Sequence, residues 1–399
     1  MNDKPTRASI ERALADGSGL LRLAPAWVAR NTVPPGRRLG LPEEAYDRGE
    51  RGWICERWLG SCTRAENAGD VPDEGLSWLA QDGQPCCILL DALAVAAPAI
   101  LGEERASQSS TLGYLAKIFD CEDRLPYHLH PKAEHASLVG KSPKEEAYYF
   151  PADVPLGKHP ETFFGVHPYI VAEERYDLLL PYLLSWDSAD ILKHSRAYLQ
   201  VPDEGFHVPS GILHAPGTAL TIELQEESDI GVTFQALNAG RILPKARLSK
   251  NVRPGDWAKE GERYVLRMVD WQLNGDPYFY ENRHLSPQVR AEQPGGAEHW
   301  VFYNSDKFSG SKLVVKPGQS LVTQDNGAYG VFAWRGQGRY GGRAVEGNVP
   351  GRDELVVSHA VATKPLLVEN TGDGDLVVLK FFGGGLNPEA PRIGGSSAM

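Results

Sequence analysis

The sequence predicts a mainly β protein: two β-rich regions, with a helical insertion in the first. Three observations carry this reading. The 399 residues include 42 glycines and 29 prolines, a composition that leans away from a helical bundle and toward many turns. From Asp123 onward, short apolar or aromatic runs are repeatedly closed by turn residues. Helical spacing is limited to pieces of the first hundred residues and to one internal stretch, 171–199.

The elements follow in order. Residues 5–15 and 76–80 are expected as short helices, and 89–101 as a helix up to Pro98. Residues 112–119 (LGYLAKIF) read as a buried strand. The runs YHLHP, EEAYYF, GFHVPSG, ALTIELQ and IGVTFQAL then read as short strands of a barrel or sandwich. They are interrupted by helical spacing over 171–186 and 188–199. Ser185, Asp187 and Ser188 are capping candidates there, and Pro181 is expected to kink or end the first helix. Residues 243–257 turn basic and loop-like, which places a domain boundary between 1–248 and 249–399. Beyond it, WVFYN, SKLVVK, QSLVTQ, GVFAW, ELVVS, PLLVEN and DLVVLKFF are strand candidates, and the Gly-, Pro- and Ser-rich tail from 383 is expected to fray.

Composition excludes several functions. With 41 basic and 52 acidic residues the net charge is −11, which argues against nucleic acid as a partner. No apolar run reaches the roughly 18 residues a transmembrane helix needs. The longest, 86–101, contains Asp91 and is interrupted by Pro98. The first sixteen residues are polar and charged, unlike a signal peptide. The five cysteines lie in the first third without zinc-finger spacing, so free thiols in a cytoplasmic protein are expected. A monomer or homodimer with a small-molecule substrate fits this picture.

Four positions carry chemistry: His128, His130, Glu146 and His214. In His128-Leu129-His130 the imidazoles stand at i and i+2, which on a strand point to one face. Glu146 follows 16 residues after His130, room enough for a loop and a return strand. Glu145 competes with it, but only one of the two can face inward. His214 follows Val208-Pro209-Ser210-Gly211, a strand end and turn. A lone HxH is more often a solvated or hydrogen-bonded pair. Joined to a carboxylate and PSGxxH it points to one divalent metal ion, with zinc first and manganese, iron, cobalt or nickel as alternatives.

That pattern is similar to the two-part cupin signature, and the chain resembles the class I mannose-6-phosphate isomerase family, which are bicupins. Residues 23–28 (LAPAWV) resemble the family's opening strand, and 56–61 (ERWLGS) its GE-x-W-x-x-S segment, with Cys55 in place of the glycine. Lys117-Ile118-Phe119-Asp120, Leu129-His130-Pro131 and Lys144-Glu145-Glu146 are similar to successive motifs around its metal site. Residues 208–215 (VPSGILHA) resemble VPAGTxHA, and Glu223, Gln225, Ser228 and Asp229 fit E-x-Q-x-x-S-D. The likeness covers most of the chain and is weaker in the C-terminal third.

The resemblance implies a bicupin, a metal-dependent aldose–ketose isomerase, and His130, Glu146 and His214 as ligands. It also implies that Lys144 reaches the active site. His128 stands where the family has a glutamine, a departure toward a generic three-histidine, one-glutamate site. The family's basic segment after S-D is replaced here by Ile230-Gly231-Val232-Thr233-Phe234, leaving Arg241 and Lys245 as the nearest cations. A non-phosphorylated sugar therefore fits as well as a sugar phosphate.

Isomerisation through an enediol needs a group to move a proton between C1 and C2, for which Lys144 and Glu223 are the candidates. A nearby cation would lower the pKa of Lys144. Arg241 is the candidate for holding substrate oxygens. One of Tyr148 and Tyr149 should face the cavity, and His207 is expected as a hydrogen-bonded histidine. In the second β region Thr323-Gln324-Asp325 falls where HxH would stand, so that region is expected to be metal-free. The same ligand set would also serve an iron-dependent cupin oxidoreductase or a non-catalytic sugar-binding bicupin.

Overall fold

The structure, a computed structural model, describes residues 4–67, 69 and 71–394. Among the described residues four of the five antiparallel sheets follow one another as layers, the fifth being a two-stranded hairpin, and the mainly β class expected from the sequence is what the chain adopts. The first is five-stranded, in the order Arg196–Leu199, Glu161–Phe164, His214–Ala215, His128–Leu129, Val232–Thr233. The second is seven-stranded: His284–Leu285, Gly205–Val208, Glu146–Tyr149, Thr221–Gln225, Leu115–Phe119, Trp53–Leu59, Ala26–Arg30.

Strand alternation decides what the second sheet shows to each side. Ala116, Ile118, Ala147, Tyr149, Ile222 and Leu224 enter a core with Trp300, Phe302, Phe332, Leu379 and Phe381 of a nine-stranded third sheet. Their neighbours in sequence, Lys117, Glu146, Tyr148 and Glu223, point the other way, toward the first sheet. The third sheet packs its far face on a four-stranded fourth sheet through Leu313, Val331, Val345, Val368 and Val378. Thr323 and Asp325 sit in that core, where the buried Lys380 ammonium donates to both and to Glu298, each within 3.0 Å.

All seven C-terminal strand candidates form strands. The third sheet also takes three strands from near the N-terminus: Leu20–Ala24, Trp78–Gln81 and Gln84–Ile88. Leu20, Leu21 and Arg22 pair with Val357, Val356 and Leu355, so the two ends of the chain are woven together.

Several local expectations are corrected. Residues 76–80 were expected to be helical, but Trp78–Gln81 is a strand, because its backbone completes the ladder with Leu23 and Ala24. Residues 188–199 are a 3-10 turn, Asp190–His194, followed by the strand Arg196–Leu199. The pairing with Glu161–Phe164 and the stacking of Tyr198 on Phe279, at 5.5 Å, outweigh helical spacing. Pro181 opens the helix Leu180–Ser185, where its missing N–H costs nothing. The helix Leu89–Leu101 runs past Pro98 by breaking at Ala96. Finally, residues 246–283, read as loop and strand, hold five short helices, from Ala246–Ser249 to Phe279–Arg283.

These helices and the insertion position the site. Leu179, Leu183, Leu248, Val265 and Met268 pack against Tyr127, Leu129, Leu213 and Val232. They therefore back the very strands that present the histidines. On the other sheet, Gly205 lies so close to its neighbour that an added Cβ would meet the Tyr148 carbonyl oxygen at 1.7 Å. Gly205→Ala is expected to push the strand Glu146–Tyr149 aside and lower the thermal midpoint. Metal content should fall with it, as elemental analysis of the purified variant will read.

Candidate metal centre

His128 and His214 are direct partners across the first sheet, and His130 follows at the strand end. Their three donor atoms lie within 4.8 Å of one another. Each ring is pinned from behind through Nδ1: His128 on the Pro126 carbonyl at 2.6 Å, His130 on Ile230 at 2.6 Å, His214 on Ile212 at 2.9 Å. Because the carbonyl can only accept, Nδ1 carries the hydrogen, and the Nε2 lone pair is left to face a ligand.

Glu146 comes from the facing sheet. Its carboxylate lies 3.1 Å from both His130 Nε2 and His214 Nε2. His130 Nε2 and His214 Nε2 are buried and make no hydrogen bond among the described residues. Unsatisfied buried polar atoms are costly and rare, and here they converge. Three imidazoles oriented from behind, with a carboxylate, are the donors a divalent transition metal takes, so the residues fit such an ion. Burial and the neighbouring histidines hold the His128 imidazole well below its ordinary range. Burial, then Lys144, lowers His130 to about 4. Both remain neutral, as ligands must be.

Glu145 faces the opposite way and pairs with His207 at 2.9 Å, so the register assigns Glu146 to the centre and makes His207 the hydrogen-bonded histidine. Tyr148, two residues on, shares the face of Glu146 and donates its hydroxyl to it, whereas Tyr149 donates to Asp203 on the other side.

Two buried lysines stand beside Glu146. Lys144 Nζ is 2.7 Å from Glu146 Oε2 and 3.1 Å from Glu223 Oε1, and Lys117 Nζ is 3.3 Å from the same Glu223 atom. Burial would lower the Lys144 pKa, but Glu146 and Glu223 raise it above the usual range; with these partners it is held protonated. Burial and the Glu146 charge push the Glu223 carboxyl up to about 7. Lys117 carried a family motif in the sequence but was not singled out; its partner Glu223 lies directly opposite it in the strand register.

A cavity of about 510 Å³ opens at this point, walled by His128, His130, Lys117 and Lys144. Glu223 is not on its wall but behind the two lysines. Arg241 is not brought to the cavity: its short hairpin turns outward, and the guanidinium lies 5.6 Å from the Trp53 ring centre and donates to the Thr32 carbonyl. Arg30, Arg247 and Lys250 line the cavity instead. Arg30 is bound to Glu56 and Asp229. Arg247 has no carboxylate partner among the described residues. Among the described residues no helix is long and apolar enough to cross a membrane, and all five cysteines are free thiols.

No protein-family model and no curated protein matches the chain. Solved structures do. The mannose 6-phosphate isomerase from Bacillus subtilis superposes with a TM-score of 0.60 at 15% identity, over 91% of this chain and 99% of that one. A variant of phosphomannose isomerase from Salmonella typhimurium superposes with a TM-score of 0.57 at 12% identity, over 92% of this chain and 100% of that one. Identities this low show a shared fold, the fold of these neighbours.

Proposed function

We propose that this chain is a metal-dependent aldose–ketose isomerase acting on a sugar or sugar phosphate. The observation that carries the reading is the convergence of His130 Nε2 and His214 Nε2, buried and without a hydrogen bond, on the Glu146 carboxylate beside a cavity walled by Lys144. His128, His130, Glu146 and His214 would hold one divalent ion, zinc or alternatively manganese, iron, cobalt or nickel. When bound, such an ion supplies Lewis acidity toward substrate oxygens.

The protein's own residues divide the remaining work. Lys144 stands on the cavity wall and exchanges the proton that moves between C1 and C2. Because Nζ is held protonated, it first passes a proton to the Glu223 carboxylate 3.1 Å behind it; the freed amine then takes the proton from one carbon and delivers it to the other, and Glu223 returns its proton to Nζ, so the pair ends each cycle as it began. Lys117 holds Glu223 from the other side. Arg247 and Lys250 give the cavity the cations that Arg241 does not, and a phosphate or other anionic group on the sugar would meet them there.

The test is a panel of sugars, with and without phosphate, incubated with metal-loaded protein in D₂O and followed by NMR. Conversion with deuterium appearing at C1 or C2 is expected. Lys144→Met should retain the metal and slow turnover by about 10²–10⁴-fold, the usual worth of a proton-transfer group. If iron-loaded protein consumes oxygen while no aldose or ketose is converted, the isomerase reading is wrong and the oxidoreductase alternative stands.

A further inference from the structure

A second cavity, about 730 Å³, lies between the helix Arg7–Asp16, the strand Leu20–Ala24 and the hairpin formed by Trp78–Gln81 with Gln84–Ile88. It shares no wall residue with the cavity at the metal centre. One part of its wall is cationic. Arg22 projects from a strand whose neighbours Leu21 and Leu23 are buried, and it is held by donating to the carbonyls of Arg352 at 2.7 Å and Ala344 at 2.6 Å. Arg343 donates no side-chain hydrogen bond, and its Nε is buried without a partner. Among the described residues no carboxylate reaches either guanidinium within ion-pair distance. Asp16 and Asp82 line the cavity too, as does Lys4, but none of them pairs with these arginines. Burial first, and then the nearby Arg343 charge, lower Arg22 to about 10. Another part of the wall is apolar, through Ile10, Leu21, Leu79 and Cys87, and Thr6, Ser9 and Gln81 line it as well.

We propose that this cavity binds a small organic anion. A carboxylate or phosphate ester would lie between Arg22 and Arg343, with an apolar chain or ring against Ile10, Leu21, Leu79 and Cys87. Guanidinium forks match the planar oxygens of such a head group, and the charge-assisted hydrogen bonds would satisfy the orphaned Arg343 donors. The volume lies in the range of about 300–1,000 Å³ typical of small-molecule sites, and an apolar wall with a few placed polar groups is their usual make-up.

Calorimetric titration of the full chain with hexyl phosphate, hexanoate, inorganic phosphate and hexanol tests this. One or both amphiphilic anions should bind one per chain, and the tighter of the two identifies the head group. Inorganic phosphate and hexanol should bind at least tenfold more weakly. Arg343→Ala removes no hydrogen bond from the fold, so its thermal midpoint should be unchanged while anion affinity falls at least tenfold. Ala80→Trp, which fills the cavity from its wall, should abolish binding. Equal affinity in Arg343→Ala, hexanol binding as tightly as the anions, or no binding at all would overturn the proposal. So would binding that survives Ala80→Trp but is lost in His214→Ala, since the anion would then occupy the metal-centre cavity.

Discussion

Protein carrying His214→Ala should purify with less than about a tenth of the metal held by the unaltered chain. Even outer-shell partners of a metal ligand commonly contribute 10–100-fold in affinity, and a direct ligand contributes more. His214 is fully buried, its Nδ1 is fixed by the Ile212 carbonyl, and its Nε2 stands 3.1 Å from Glu146. Alanine leaves three of the four donors. Glu146→Ala should act in the same way. His128→Gln is the informative contrast, because an amide oxygen can still ligate, and metal should be largely retained. Elemental analysis together with thermal midpoints reads the outcome. Normal metal content in His214→Ala would place the ion elsewhere and remove the basis of the proposed chemistry.

Arg57→Ala should destabilise the fold by roughly 3–5 kcal/mol, the range for breaking a buried ion pair from one side. Arg57 leaves the seven-stranded sheet on the face away from the metal centre. It meets Asp353 at 2.6 and 2.7 Å and Glu354 at 3.1 Å, at the start of a strand in the nine-stranded sheet. All three side chains are buried, and the guanidinium is covered by Trp27 and Phe332. Alanine strands two carboxylates in the core between the two sheets. The triple change Arg57→Met, Asp353→Asn, Glu354→Gln removes the charges together and should recover most of the loss. The denaturant midpoint measures both.

The same cluster gives a pH dependence. Burial raises the Glu354 carboxyl to about 7 against the opposing pull of Arg57. Between its ordinary value near 4.5 and 7, the folded chain keeps a proton that the unfolded chain has lost. The contribution of this group to stability is therefore greatest at low pH and declines as pH rises through that window. Glu354→Gln should flatten that part of the stability profile.

The residues proposed as metal ligands were legible because they follow a local rule. Strand alternation places His128 and His130 on one side, and the choice between Glu145 and Glu146 is a question of parity. The motifs' order along the chain then pointed to the fold. Where tertiary pairing decides, the sequence was misleading. Residues 188–199 have helical spacing, yet Arg196–Leu199 is drawn into a ladder by Glu161–Phe164, which nothing local announces. Arg241 was favoured by nearness in sequence to Asp229, but its hairpin turns out onto Trp53, while Arg247, six residues later on a short helix, reaches the cavity wall.

By itself the sequence determined the mainly β class and singled out the four residues proposed as ligands and the lysine beside them, because each depends on spacing within a few residues or on motif order. Only the tertiary structure decided that Lys117 and Glu223 stand opposite one another, that Arg57 joins the two central sheets, and that Arg22 and Arg343 share a cavity across 321 residues of chain. Such meetings are set by which sheet faces pack. That depends on the burial of many side chains at once and leaves no local spacing to read.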